Sequence, residues 1–100
     1  MLNHRLHLGC KIPNTRFSVS REEIEDFLDE FPELENYSLI PVYGKFEGTK
    51  EPSYRLEVFG YSYELVASIG RAYKREFLQK AVGYEPIVTT YKELWDWQYT

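Results

Sequence analysis

The stretch LNHRLHLGCKI, residues 2–12, decides the fold of this chain. From residue 6 onward every second side chain is apolar, and the side chains between them are charged, polar or small. This period of two is typical of a β-strand that buries one face and leaves the other open. The residues that follow, Pro13–Thr15, favour a turn. The apolar positions are Leu6, Leu8, Cys10 and Ile12.

An amphipathic helix is predicted after this turn. Ser20 and Glu23 have the Ser-x-x-Glu spacing of a capping box, which satisfies free backbone amides where a helix begins. We expect the helix to run to about Glu30, because Pro32 disfavours helical geometry at the residue before it. One face is apolar at helical spacing and the other is acidic. The apolar positions are Ile24, Phe27, Leu28 and Phe31.

The middle of the chain predicts a β-hairpin and a second helix. Strands are expected at Tyr37–Phe46 and Ser53–Phe59, with a turn at Gly48–Lys50 between them. The second helix is expected over Tyr63–Lys80, with Ser62 as its N-cap. Apolar residues again form one stripe along it, which indicates a buried face.

The C-terminal part predicts a fourth strand, Tyr84–Thr90, and then an aromatic extension. Thr90 and Glu93 form a second capping box, which favours a short helix over Tyr91–Trp97. The alternative is a continued strand, because three aromatic side chains also follow a period of two. These are Trp95, Trp97 and Tyr99.

The order strand, helix, strand, strand, helix, strand predicts an α+β fold, a ferredoxin-like βαββαβ sandwich. Its four-stranded antiparallel sheet would have the order 4-1-3-2, with both helices on one face. Proline cannot donate to a sheet ladder, and all four prolines near predicted strands fall on edge strands or at strand ends. These are Pro13, Pro41, Pro52 and Pro86. We expect one domain, residues 1–90, extended by the aromatic residues 91–100.

Composition narrows the class of protein. One hundred residues suffice for one domain, and a net charge of −4 disfavours general nucleic-acid binding. A single cysteine forms no internal disulfide and fits a reducing compartment. No leader pattern is visible in Met1–Lys11, and no apolar stretch approaches the ~20 residues of a membrane span. We therefore expect a cytoplasmic protein that does not bind membranes.

The sheet face away from the helices is predicted to be aromatic. Aromatic residues make up 17% of the chain, and an exposed apolar patch usually marks a contact site. We expect this face to be covered by a second subunit, by the Trp95 and Trp97 segment, or by a ligand, and a homodimer or higher homo-oligomer is the favoured solution. The predicted members of the face are His7, Tyr37, Leu39, Tyr43, Arg55, Glu57, Phe59, Ile87 and Tyr91.

Several short motifs, in order, resemble an uncharacterised family of small bacterial proteins, a domain of unknown function. They include Gly44-Lys45-Phe46 at a strand end, Glu51-Pro52-Ser53 opening the next strand, and the helical Tyr73-Lys74-Arg75-Glu76-Phe77 followed by Gln79. The segment from Phe17 to Leu28 fits the family's strand-to-helix entry, and the resemblance reaches about Val88. It implies the fold but no activity. Many members carry export leaders, a feature that we do not expect here.

Residues with reactive side chains form no catalytic or metal signature. Cys10 lies on the inward side of a predicted central strand, which indicates a structural thiol. His4 and His7 are three apart on a strand and therefore point to opposite faces, so no metal site is predicted. The basic residues Arg71 and Lys74, with Arg75 and Lys80, either complement the helix dipole or bind an anion.

These features lead to three functional hypotheses. The first is a non-enzymatic, oligomeric protein that binds and sequesters a small anion such as a nucleotide. The second is a small enzyme without a cofactor, with Glu51, His7, Tyr73 and Lys74 as its candidate groups. The third is a protein-interaction module that uses the tryptophan-rich tail. Predicted ligand-binding residues are Tyr43, Glu51, Ser53, Arg55, Arg71, Tyr73, Lys74 and Arg75. Predicted interface residues are Tyr37, Leu39, Phe59, Trp95 and Trp97.

Overall fold

The computed structural model describes residues 3–46 and 48–87. Six regular elements follow one another along this part of the chain. They are β1 (Asn3–Gly9), α1 (Arg21–Leu28), β2 (Ser38–Phe46), β3 (Thr49–Phe59), α2 (Tyr63–Glu76) and β4 (Gly83–Pro86).

The four strands form one antiparallel sheet in the order β2-β3-β1-β4. Counted from the opposite edge, this order is β4-β1-β3-β2. β1 lies inside the sheet and pairs with β3 on one side and β4 on the other. The predicted α+β class, with four antiparallel strands and two helices, is confirmed.

The capping box that the sequence predicts sets the start of α1. The Glu23 amide donates to Ser20 Oγ at 3.1 Å, and the Ser20 amide donates to Glu23 Oε1 at 3.2 Å. The helix ends at Leu28 with Asp29 as its C-cap, slightly before the predicted end near Glu30.

The core lies between the sheet and the two helices. Leu6 of β1 is directly opposite Leu56 of β3, so both side chains point to the same side of the sheet. Apolar residues of both helices are buried in this same cluster, and the Phe27 and Tyr73 rings meet edge to face at 5.6 Å. Cys10 is also buried there, as predicted. Burial of this surface is the main favourable term in folding.

α2 ends at Glu76, four residues before the predicted end at Lys80. Leu78 adopts a left-handed conformation with φ of +54°, which cannot continue a right-handed helix. Gln79 then turns back, and its side-chain amide donates to Lys11 O at 2.9 Å. β4 begins at Gly83, one residue before the predicted start, and ends at Pro86; the last part of the predicted strand, residues 88–90, lies outside the described residues.

β3 begins at Thr49 rather than at Ser53, because its pairing with β2 continues up to the hairpin turn. Gly48 in that turn has a φ of +80°, which glycine adopts without steric cost. Beyond the reach of β1 the hairpin is only two-stranded, and Tyr43 there is 87% exposed.

The prediction of which side of β2 points toward the helices is wrong. Leu39 is directly opposite the buried Leu56, so Leu39 points toward the helices, and Tyr37 also packs against the core. Tyr43 shares the side of Leu39 but extends past the core. Ile40 and Val42 consequently point to the opposite side of the sheet. Tyr37, Leu39 and Tyr43 therefore do not lie on the sheet face away from the helices, contrary to the prediction.

None of the described helices is long and apolar enough to cross a membrane. The predictions for Tyr91, Trp95 and Trp97, and the predicted boundary near residue 90, concern residues outside the described part of the chain.

Tyr73 offers a test of the core. Its side chain is fully buried, and its hydroxyl donates to Gly9 O at 2.6 Å at the end of β1. We expect Tyr73→Phe to lower the free energy of unfolding by about 1 kcal/mol, because the partly buried Gly9 carbonyl loses a hydrogen-bond donor. Denaturant titration measures this difference. The exposed Tyr43→Phe is the control and should change it by less than about 0.5 kcal/mol; equal stability of both variants would contradict the role of the bond.

Candidate functional site: a groove between α2 and β4

A groove of about 280 Å³ lies between α2 and β4, and we call it the α2–β4 groove. Leu6 and Val82 supply apolar side chains to its lining. Gly70 of α2 is buried beside them, and a Cβ at Gly70 would lie 3.5 Å from the Leu6 side chain. The absence of a side chain at Gly70 therefore leaves room at the base of the groove.

Two tyrosines line the groove, one from each element. The rings of Tyr63 on α2 and Tyr84 on β4 have centroids 5.3 Å apart and an interplanar angle of 60°. Both side chains are partly exposed, at 51% and 39%. The groove therefore presents accessible aromatic surface, which suits a planar or cationic group of a ligand.

A buried histidine holds Tyr84 in place. His4 is 3% exposed; its Nε2 lies 2.9 Å from Tyr61 O, and its Nδ1 lies 2.8 Å from Tyr84 Oη. A carbonyl oxygen only accepts, so Nε2 carries a hydrogen, and in the neutral imidazole Nδ1 accepts from the Tyr84 hydroxyl. The Tyr84 hydroxyl is thus bound to the protein, while its ring remains available to a ligand.

Two cations complete the groove. Arg71 and Lys74 both line it, and they are three residues apart on α2, a spacing that places side chains on one side of a helix. Both residues are exposed, and neither forms an ion pair within residues 3–46 and 48–87. No carboxylate in this part of the chain neutralises them, and both side chains can bind an anionic group.

The other predicted ligand residues lie elsewhere. Tyr73 is buried and bound to Gly9 O, and burial raises the pKa of its hydroxyl. Arg75 is exposed on α2 but does not line the groove. The remaining four are on the β2–β3 hairpin: Tyr43, Glu51, Ser53 and Arg55.

Glu51 and Ser53 do not form a polar pocket with Tyr73 and Lys74. Ser53 is opposite Gly9 and points away from the helices, whereas Tyr73 lies on the helix side of the sheet. Ser53 Oγ donates to Val42 O at 3.4 Å, and Glu51 pairs with Lys11 at 3.8 Å. Sequence reasoning missed Tyr63 and Tyr84 as partners because only the packing of β4 beside α2 brings them together.

Cys10 is unsuited to nucleophilic chemistry. It is 1% exposed, and burial raises the pKa of its thiol to about 11. The thiolate, which is the reactive form, is therefore disfavoured at neutral pH.

The face of the sheet away from the helices, here the open face, is charged rather than aromatic. Arg5 donates to Glu57 at 2.7 Å and to Glu85 at 3.2 Å, and His7 Nε2 lies 2.7 Å from Glu85. Arg55 is opposite His7 on this same face. Among the side chains that the structure describes on this face, only that of Phe59 is aromatic and exposed. The predicted aromatic patch is therefore not formed by the described residues.

Glu85 makes the stability of this network depend on pH. The hydrogen bond with His7, and then that with Arg5, lower the pKa of Glu85 below its ordinary value. A lowered folded-state pKa contributes stability above the unfolded-state pKa, and this contribution is lost as the pH falls. We expect the difference in unfolding free energy between the wild type and Glu85→Gln to shrink as the pH falls below about 4.5.

Chemical denaturation between pH 7 and pH 3 measures this difference. The double variant His7→Gln with Arg5→Gln is the control, since Glu85 there has lost both partners and its substitution should have no pH-dependent effect. A difference that is constant with pH in the wild-type background would contradict the assignment.

Comparison with known proteins identifies one fold relative. Neither a family model nor a curated protein sequence matches the chain, so the resemblance to the bacterial family stays a prediction. Among solved structures, the chain is similar to a phage SAM lyase in its apo state, with a TM-score of 0.60 and 16% identity. The alignment covers 92% of this chain and 92% of that one. At this identity the likeness shows a shared fold.

Proposed function

We propose that this protein binds S-adenosylmethionine (SAM) or a close adenosyl relative in the α2–β4 groove and cleaves it. The observation that carries the proposal is the match, over 92% of both chains, to a structure described as a phage SAM lyase. A match over 92% of each chain compares nearly the whole of both folds rather than a shared motif. The element order and the sheet order support a ferredoxin-like sandwich for this chain.

The groove suits the chemical groups of this ligand. SAM carries a planar adenine, a positively charged sulfonium and a carboxylate. Adenine would stack on Tyr63 or Tyr84, and an aromatic face also attracts a cation such as the sulfonium. Arg71 would hold the carboxylate through two parallel hydrogen bonds, the preferred geometry of a guanidinium.

Cleavage at a sulfonium places little demand on acid–base groups. One oxygen of the SAM carboxylate forms a bond to the γ-carbon of its own chain as the bond from that carbon to sulfur breaks. The products are a lactone and a neutral thioether, and no proton is transferred. The contribution of the protein is then to hold the reacting atoms in position and to exclude water. The apolar side chains of Leu6 and Val82 favour such exclusion.

A second candidate function is non-enzymatic binding of a small anion, such as a nucleotide, in the same groove. It is favoured by Arg71 and Lys74, which have no carboxylate partner among the described residues. Such a protein would sequester its ligand unchanged. The fate of the bound ligand therefore separates the two candidates.

Assembly into a homo-oligomer also remains a proposal. The open face is charged, so assembly through it can no longer be argued from an exposed aromatic patch. Phe59 is nevertheless 48% exposed on this face. An oligomer would use Phe59 together with Trp95 and Trp97, which lie outside the described residues.

We expect the double variant Arg71→Gln with Lys74→Gln to weaken SAM binding by about tenfold or more, the loss expected when charge-assisted hydrogen bonds are removed. Isothermal titration calorimetry measures the affinity, and mass spectrometry of the incubated mixture detects an adenosyl thioether product. Arg75→Gln, on the same helix but outside the groove, is the matched control and should bind as the wild type does.

The outcomes separate the candidates. Binding with consumption of SAM supports the enzyme, and binding of an unchanged nucleotide supports a sequestering protein. Failure of SAM and of adenine nucleotides to bind would overturn both.

A further inference from the structure

The open face carries a pair of basic side chains outside the groove. His7 of β1 and Arg55 of β3 are directly opposite each other in the antiparallel register. Side chains at such positions point to the same face with Cβ atoms about 5 Å apart. The pair lies on the far side of the sheet from both helices, so it is separate from the α2–β4 groove.

A carboxylate orients the imidazole of His7. Nε2 lies 2.7 Å from Glu85 Oε1, and an ionised carboxylate only accepts, so Nε2 carries a hydrogen. The other ring nitrogen, Nδ1, has no hydrogen-bond partner within the described ranges. It becomes a donor when the imidazole is protonated.

Arg55 has no counterion among the described residues. Arg5 engages Glu57 and Glu85, and His7 also engages Glu85. Arg55 forms no ion pair in the described part of the chain, and its Nε is buried without a hydrogen-bond partner. A buried donor without an acceptor is costly, and few native groups are left in this state.

We propose that His7 and Arg55 form a binding site for one small anionic group, a carboxylate or a phosphate. The Arg55 guanidinium donates to the oxygens of the anion, and protonated His7 donates from Nδ1. The site does not depend on the function proposed for the groove.

Protonation of His7 controls the charge of the site. The charged groups that face it are Arg5 on β1, Arg55 and Glu57 on β3, and Glu85 on β4. β2 contributes the uncharged Ile40 to this face, opposite Arg55. With His7 protonated, three positive groups face two carboxylates, and with His7 neutral the charges balance. Anion binding is therefore stronger at low pH.

Nuclear magnetic resonance of the full-length, ¹⁵N-labelled protein tests the site. Inorganic phosphate and, separately, acetate are titrated at pH 5.5 and at pH 8. We expect saturable changes in the chemical shifts of the backbone amides of residues 5–7, 55–57 and 85. The affinity for the anion that these changes report should be higher at pH 5.5 than at pH 8. The anion that saturates at the lower concentration identifies a phosphate or a carboxylate as the preferred group.

Matched variants distinguish this site from the groove. Arg55→Gln should weaken binding at the open face by about tenfold, the order expected for a lost charge-assisted hydrogen bond. His7→Gln should remove the pH dependence. The variant Arg71→Gln with Lys74→Gln should leave the open-face shifts unchanged, and the spectrum of each variant reports whether it is folded.

Two results would overturn the proposal. One is the absence of saturable shifts on the open face at either pH. The other is unchanged affinity in a folded Arg55→Gln protein. If the chemical-shift changes are confined to the groove residues of α2 and β4, the open face does not bind the anion and the proposal is wrong. This holds whether or not SAM binds in the groove.

Discussion

The pairing of β1 on both of its edges is the constraint on which the rest of the structure depends. β1 is hydrogen-bonded to β3 and to β4, and its side chains alternate between two environments. Leu6 and Leu8 are buried under the helices, whereas Arg5 and His7 lie on the open face. A slip of one residue would exchange these sets and bury charged groups in the core, so the register is strongly specified.

Both proposed sites depend on this alternation. Leu6 lines the α2–β4 groove from one face of β1, and His7 faces Arg55 on the other. β4 contributes to both sites in the same way, since Tyr84 lines the groove and Glu85 binds His7. In both β1 and β4, two consecutive residues therefore contribute to sites on opposite faces of the sheet. The Tyr84 ring is held by His4, so the groove is partly organised before any ligand arrives.

Local chemistry explains which features could be predicted from the sequence. The alternation in β1 and the capping box at Ser20 each leave a pattern within a few residues, and both were identified correctly. β2 is different, because apolar residues occupy both of its faces and its pattern does not show which face is buried. Its facing is set by Leu56 on the neighbouring strand, which is a tertiary contact.

The sites were harder to predict for the same reason. Arg71 and Lys74 are marked by their spacing on one helix, and they do line the groove. Tyr63 and Tyr84 are far apart in sequence, and only tertiary packing brings them together. The end of α2 at Glu76 also escaped prediction, since the leucine at position 78 gives no local signal for a left-handed conformation.

A crystal structure of the protein grown with SAM or a non-cleavable analogue tests the central claim most directly. The account predicts a ligand in the α2–β4 groove, with its base against Tyr63 or Tyr84 and its carboxylate on Arg71. A ligand bound elsewhere on the chain, with the groove unoccupied, would contradict it.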